Sequence, residues 1–193
     1  MKFKITAFCF VSFLVYGCTT ENKTFHAPEI GWTINLIDGW DIESARKVDQ
    51  DIHEGLALIE NSGESVYVSG KEIGLFVLRS DEITKFQATI IPFEETYENE
   101  WNDKYPQIKD VIYPIVAYQG VQVDSTSSKE TIDNIAFEVF NIKLSQNGST
   151  LMEQNMYRTY IKGYDFIINM SHNSINDKKA MLATLRASKF DKK

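Results

Sequence analysis

The chain has 193 residues, 43% of them hydrophobic and twelve of them Phe, which is enough apolar material for a packed core and too much for a disordered chain. Acidic residues outnumber basic ones, 27 to 20, for a net charge of −7 at neutral pH. Nucleic-acid recognition needs a basic footprint to neutralise phosphates, so that class is excluded, and the acidity itself reads as solubility.

The first eighteen residues form a leader. Lys2 and Lys4 supply positive charge, residues 5–16 are mostly apolar, and Val15-Tyr16-Gly17-Cys18 closes the run. The apolar stretch is about half the ~20 residues a spanning helix needs, so it reads as a secretory signal rather than a membrane span. Val-x-Gly-Cys resembles a bacterial lipobox. That resemblance implies cleavage after Gly17, a diacylglycerol thioether on Cys18, and usually an acylated new amine. Each buried methylene contributes about 0.8 kcal/mol, so two or three chains hold a domain on a bilayer almost permanently. Thr19, where an inner-membrane retention Asp would sit, points to the outer membrane.

Processing changes the accounting. Loss of residues 1–17 removes two lysines and no acid, leaving 176 residues with 18 basic and 27 acidic side chains, net −9. A polyanionic membrane surface does not attract such a domain, so the lipid on Cys18 is its membrane contact. Cys9 departs with the leader and Cys18 is consumed, so the mature domain has neither disulfide nor free thiol and is stable by packing alone.

Three regions follow: the signal at 1–17, a lipidated Cys18 with a polar tether over 18–30, and a single domain over 31–193. Trp32, Ile34 and Leu36 alternate with polar residues, as in a strand with one buried face, and Asp38-Gly39 turns the chain. Val48, Ile52, Leu56 and Ile59 recur at helical spacing, so 49–60 is an amphipathic helix ending near Gly63. Residues 73–78 and 86–91 read as strands, the second ended by Pro92. A helix starts near Glu94 or Thr96, with Pro106 and Pro114 breaking it or ending it early. Strands over 137–144 and 151–161 flank Asn147-Gly148, the strongest short hairpin signal, and Lys162-Gly163 turns into a strand over 164–171. The last element is a helix over 174–189, N-capped by Ser174 with Asp177 three residues on, burying Ile175, Leu182 and Leu185.

Those elements carry a family resemblance. The entry Gly31-Trp32-Thr33-Ile34-Asn35-Leu36-Ile37-Asp38-Gly39-Trp40 is similar to the opening of PsbP-like domains. So is the ending, where the Tyr160-Ile161-Lys162-Gly163-Tyr164-Asp165-Phe166 hairpin precedes a helix closing on Leu185-Arg186-Ala187-Ser188-Lys189-Phe190. The resemblance covers both ends of the domain, while residues 45–115 match poorly. It implies an α+β fold, a central antiparallel sheet flanked by helices. This α/β/α sandwich is shared by photosystem extrinsic subunits, a Ran-binding nuclear-transport factor and many bacterial lipoproteins. Members mostly act as non-enzymatic binding or assembly partners, and no family binding residue transfers to a numbered position here.

Catalytic and cofactor patterns fail one by one. His53-Glu54 lacks a histidine four residues after the first, since Ala57 stands there. His26, His53 and His172 are widely spaced and read as surface or capped residues. Ser69-Gly70-Lys71 lacks the earlier glycine of a phosphate loop, Ser65 occupying that place, and Glu72 replaces the magnesium-holding hydroxyl. The chain has no Gly-x-Ser-x-Gly elbow and no mature cysteine nucleophile. Glu94, Glu95, Glu98, Glu100 and Asp103 are the densest acid cluster, a solvated helix face in the favoured reading and a divalent-cation site in the sharper one. Tyr97, Trp101, Tyr105 and Tyr113 interleave with it as core edge or partner surface, core edge first. Asn22-Lys23-Thr24 and Asn147-Gly148-Ser149 match the glycosylation pattern incidentally.

The expectation is therefore a lipid-anchored, non-enzymatic binding or assembly module of a bacterial envelope, facing the periplasm or the cell surface. An envelope protein is its partner, and no catalytic, metal or cofactor residue is assigned. The alternative is a small envelope enzyme or ligand carrier whose pocket converges only in three dimensions.

Overall fold

A computed structural model describes residues 23–43, 72–103 and 121–191. In chain order its elements are β1 (Thr24–Ala27), β2 (Trp32–Asn35), β3 (Asp41–Ile42), β4 (Ile73–Arg79), β5 (Lys85–Pro92), β6 (Gln122–Ile132), β7 (Ile135–Gln146), β8 (Ser149–Ile161), β9 (Tyr164–His172), α1 (Ile175–Ala187) and β10 (Lys189–Phe190). Three two-residue turns organise the second half. Asp133-Asn134, Asn147-Gly148 and Lys162-Gly163 have positive φ at both positions: 46° and 70°, 52° and 78°, 50° and 81°. Paired positive φ is the type I′ geometry, whose twist matches the strands it joins. These turns fold β6 to β9 into a continuous antiparallel meander.

The meander is completed by the first half of the chain. β5 pairs with β9 and β4 with β5, giving a seven-stranded antiparallel sheet in the order β3-β4-β5-β9-β8-β7-β6. The β4–β5 connection is tied by Asp81, whose carboxylate accepts from the backbone N–H of Ile83 and Thr84 and from the Thr84 hydroxyl. A smaller sheet, ordered β1-β2-β10, joins the start of the domain to its end.

Strand alternation gives the large sheet two different faces. One carries Phe86, Ala88 and Ile90 from β5, Phe166, Ile168 and Met170 from β9, Tyr157 and Ile161 from β8, and Phe137 and Val139 from β7. Met181 and Leu185 of α1 and Trp32 and Ile34 of β2 cover it. Trp32 is fully buried, stacked on Phe76 at 5.8 Å between centroids and edge-on to Phe166 at 4.8 Å. Each such side chain contributes about 1.5–3 kcal/mol on burial, which fits a domain held by packing. The other face carries a smaller cluster of Phe140, Ile142 and Met156. On that same face Asp165 takes bidentate hydrogen bonds from Arg158 and one of 2.9 Å from Trp101 Nε1.

Several expectations need correcting. Residues 24–27, assigned to the tether by their polarity, form β1, and Ile30 is fully buried, so the fold starts before Gly31. β1 has one buried residue in four, Ala27, which leaves no apolar alternation to read. The helix expected near Glu94 or Thr96 starts only at Glu100, because Asn99 sits at φ 68° and interrupts the winding. In α1, Ile175 is 62% exposed and Met181 takes the buried place assigned to it, while Leu185 is buried as expected. α1 ends at Ala187, and Lys189 and Phe190 leave as β10 instead of a last helical turn. The helix assigned to 49–60 lies outside the described residues. Among the described residues α1 flanks one face of the sheet, and no helix is long and apolar enough to cross a membrane.

Candidate functional site

Apolar alternation on the helix-covered face stops partway along β7 and β8. After Phe137 and Val139, β7 turns Asn141 and Lys143 to that face, and β8 runs from Tyr157 to Asn155 and Glu153. The polar stretch is the floor of an open groove of about 450 Å³ between α1 and strands β6 to β8. Two ion pairs link α1 to this floor. Arg186 holds Glu130 of β6 in a bidentate pair, with Nε–Oε1 at 2.6 Å and Nη2–Oε2 at 3.2 Å. Lys178, two turns earlier, places Nζ 2.7 Å from Glu153 Oε2.

Both pairs leave their mark on proton affinity. The Arg186 hydrogen bonds, assisted by Tyr157, hold the Glu130 carboxyl below its ordinary range. Lys178 does the same to Glu153. Burial raises the Tyr157 phenol, and so does its 2.8 Å hydrogen bond to Glu130, so it stays protonated. His172 is 3% exposed, and burial lowers its proton affinity, with the Lys178 ammonium adding to the effect. Its imidazole is therefore neutral near pH 7.

A ladder of neutral polar side chains crosses four strands, and three of its rungs, Thr126, Asn141 and Asn155, line the groove. His172 Nε2 on β9 lies 3.1 Å from Asn155 Oδ1 on β8 and, facing an acceptor, carries the proton. The Asn155 amide donates to Asn141 Oδ1 on β7, and Asn141 Nδ2 donates to Thr126 Oγ1 on β6 at 3.3 Å. Asn155 is buried, with 6% exposure, so the ladder satisfies a polar group that burial otherwise penalises. Hydrogen bonding and paired charge of this kind suit recognition of a ligand; no nucleophile–base pair is among these contacts.

The residues singled out in the sequence fall elsewhere. Cys18, His53, Ser69-Gly70-Lys71, Tyr105 and Tyr113 lie outside the described residues. The acid cluster divides into two roles: Glu94, Glu98 and Asp103 are exposed, whereas Glu100 is buried and accepts from the backbone N–H and hydroxyl of Thr96, and Glu95 accepts from the Trp101 backbone N–H. The latter two carboxylates cap a helix start, as the dipole favours. Among the described residues no group of three His, Cys, Asp or Glu side chains is placed to hold a metal. Trp101 is buried as core edge, whereas Tyr97 is half exposed. His26 bonds the Thr33 hydroxyl at the surface, and His172 bonds Asn155 next to the groove. Sequence reading missed the groove because its residues come from three strands and a helix, spread from 124 to 186. The one available signal was polar residues, Asn141 and Asn155, at alternate positions where β7 and β8 otherwise turn apolar side chains inward.

The architecture is a PsbP-like fold. The chain is similar to the solution structure of cyanobacterial PsbP (CyanoP) from Synechocystis sp. PCC 6803, with a TM-score of 0.55 over 88% of this chain and 92% of that one. Sequence identity is 12%, so the likeness is one of fold. No protein-family model and no curated protein matches the chain.

Proposed function

We propose that the protein is a lipid-anchored, non-enzymatic binding or assembly module of a bacterial cell envelope. It sits at the outer membrane, facing the periplasm or the cell surface, and works beside a larger envelope protein. The observation that carries this reading is the basic, then apolar leader ending in Val15-Tyr16-Gly17-Cys18, ahead of a domain whose fold is PsbP-like. With a net charge of −9 once the leader is removed, the domain has little attraction to an anionic bilayer, so the acyl chains on Cys18 keep it there. In its complete form the domain is an α/β/α sandwich, with helices on both sheet faces.

Cross-linking of the native protein in its own envelope, followed by mass spectrometry, tests this reading, with Cys18→Ala as the unanchored control. One stoichiometric envelope partner, lost in the control, is the expected result. A clean monomer counts against the assembly role. A second reading, a carrier for a small ligand, is favoured by one specific observation, the polar groove beneath α1.

A further inference from the structure

The groove beside α1 has a charge pattern that selects among ligands. Its lining carries three acidic and three basic side chains, so it is neutral as a whole. Glu130 is held by Arg186 and Glu153 by Lys178, while Asp124 and Lys143 stand directly opposite each other on β6 and β7. An ionic ligand that engages Glu130, Arg186, Glu153 or Lys178 must break one of the two ion pairs and meet a like charge beside it. An uncharged ligand need not.

The ladder on the floor supplies what an uncharged ligand requires. A primary amide has two N–H donors and two acceptor lone pairs. Asn141 and Asn155 each use one donor and one lone pair in the ladder. Each keeps one donor and one acceptor, side by side on neighbouring strands about 4.8 Å apart. The Thr126 hydroxyl, which receives the last bond of the ladder, still has its own proton to donate. His172 is neutral, so the row carries no charge from end to end. Val139 and Leu182 give the groove an apolar strip beside these groups. Alternating donors and acceptors beside a small apolar strip complement the hydroxyls and C–H faces of a sugar ring. The 450 Å³ volume is in the range of small-molecule sites.

We propose that this groove binds a small uncharged saccharide, with Asn141, Asn155 and Thr126 reading its hydroxyls. The site is separate from the anchored-module reading, because a groove of this kind takes its ligand whether or not Cys18 carries lipid.

The test is saturation-transfer NMR on the full chain, purified in a detergent without a sugar headgroup. The probes are glucose, N-acetylglucosamine and maltose at about 20 mM, above the millimolar dissociation constants of weak sites, with glucuronate and glucosamine as charged counterparts. At least one neutral probe is expected to give saturable transfer, and both charged counterparts to bind more weakly. Thr126→Val is expected to weaken the neutral probe about fivefold, the value of one neutral hydrogen bond, and Asn141→Ala to abolish it. Thr126 is exposed on β6 and Val suits a strand, so this variant tests the site even if Asn141→Ala fails to fold. Absence of saturable transfer from every neutral probe overturns the proposal. So does tighter binding of a charged counterpart, or transfer unchanged by Thr126→Val; the ladder is then a device for strand register alone.

Discussion

Replacing Asp165 with Ala removes the carboxylate shared by Arg158 and Trp101 on the sheet face away from α1. Asp165 is 2% exposed and Arg158 8%, so water replaces little of what is lost. Arg158 donates to both carboxylate oxygens, and Trp101 Nε1 adds a bond of 2.9 Å. The Arg158 guanidinium also lies 5.5 Å from the Trp101 ring centroid, so the three side chains form one unit. Breaking one partner out of a buried ion pair costs about 3–5 kcal/mol, because the other charge stays buried. At about 2–4 °C per kcal/mol for a domain of this size, the melting temperature falls by about 6–20 °C. Urea unfolding followed by tryptophan fluorescence measures the change directly. Arg158→Met with Asp165→Leu removes both charges and should recover about half of the loss. A residual of about 1–3 kcal/mol remains from the Trp101 N–H that loses its acceptor. An Asp165→Ala cost below about 1 kcal/mol, or a double variant no better than the single one, refutes the account of this cluster.

Other outcomes follow from the same structure. His172 has a folded proton affinity below its ordinary value of 6.5, so the unfolded chain binds more protons as pH falls beneath 6.5. Its stabilising contribution is present above pH 6.5 and is lost as pH drops towards the folded value; denaturation midpoints against pH should show this step, and His172→Gln should remove it. Glu130 and Glu153 are lowered from 4.5, so their contributions vanish in a second, more acidic step below pH 4.5 that Glu153→Gln reduces. In α1, Leu185→Ala should cost about 2–5 kcal/mol, whereas Ile175→Ser should stay within about 0.5 kcal/mol, as the same unfolding assay will register. Gly31 and Gly148 both sit at positive φ, where Ala costs about 1–2 kcal/mol. Gly31→Ala should be the worse of the two, because its Cβ would press on Lys162 Nζ and the Asp191 side chain, while that of Gly148 meets open space.

Elements with strong local signals were legible in the sequence. Asn147-Gly148 and Lys162-Gly163 marked their hairpins because left-handed backbone suits Asn and Gly, and Ser174 marked the start of α1 through a side chain that accepts from Asn176 N. β2, β4 and β5 were visible as apolar alternation or short apolar runs between turn residues. β6 was not, since Asp124 to Lys129 are all exposed and Ser-rich, and only pairing to β7 makes a strand of them. Ile175 misled for a related reason. It sits at the first turn of α1, where helical spacing alone does not say how far the covered face extends. The ladder was least legible of all: Thr126, Asn141, Asn155 and His172 are unremarkable one by one, and their alignment is a property of register across four strands. The PsbP-like resemblance rested on turns and strand order, the parts of the chain where local chemistry dictates backbone shape.

Whether Cys18 carries the anchor is decided by the intact mass of the protein extracted from its own envelope. The expected mass is that of a chain beginning at Cys18, with a diacylglycerol group added and, where the amine is acylated, one further fatty chain. A chain still beginning at Met1, or one cleaved elsewhere with an unmodified cysteine, contradicts it.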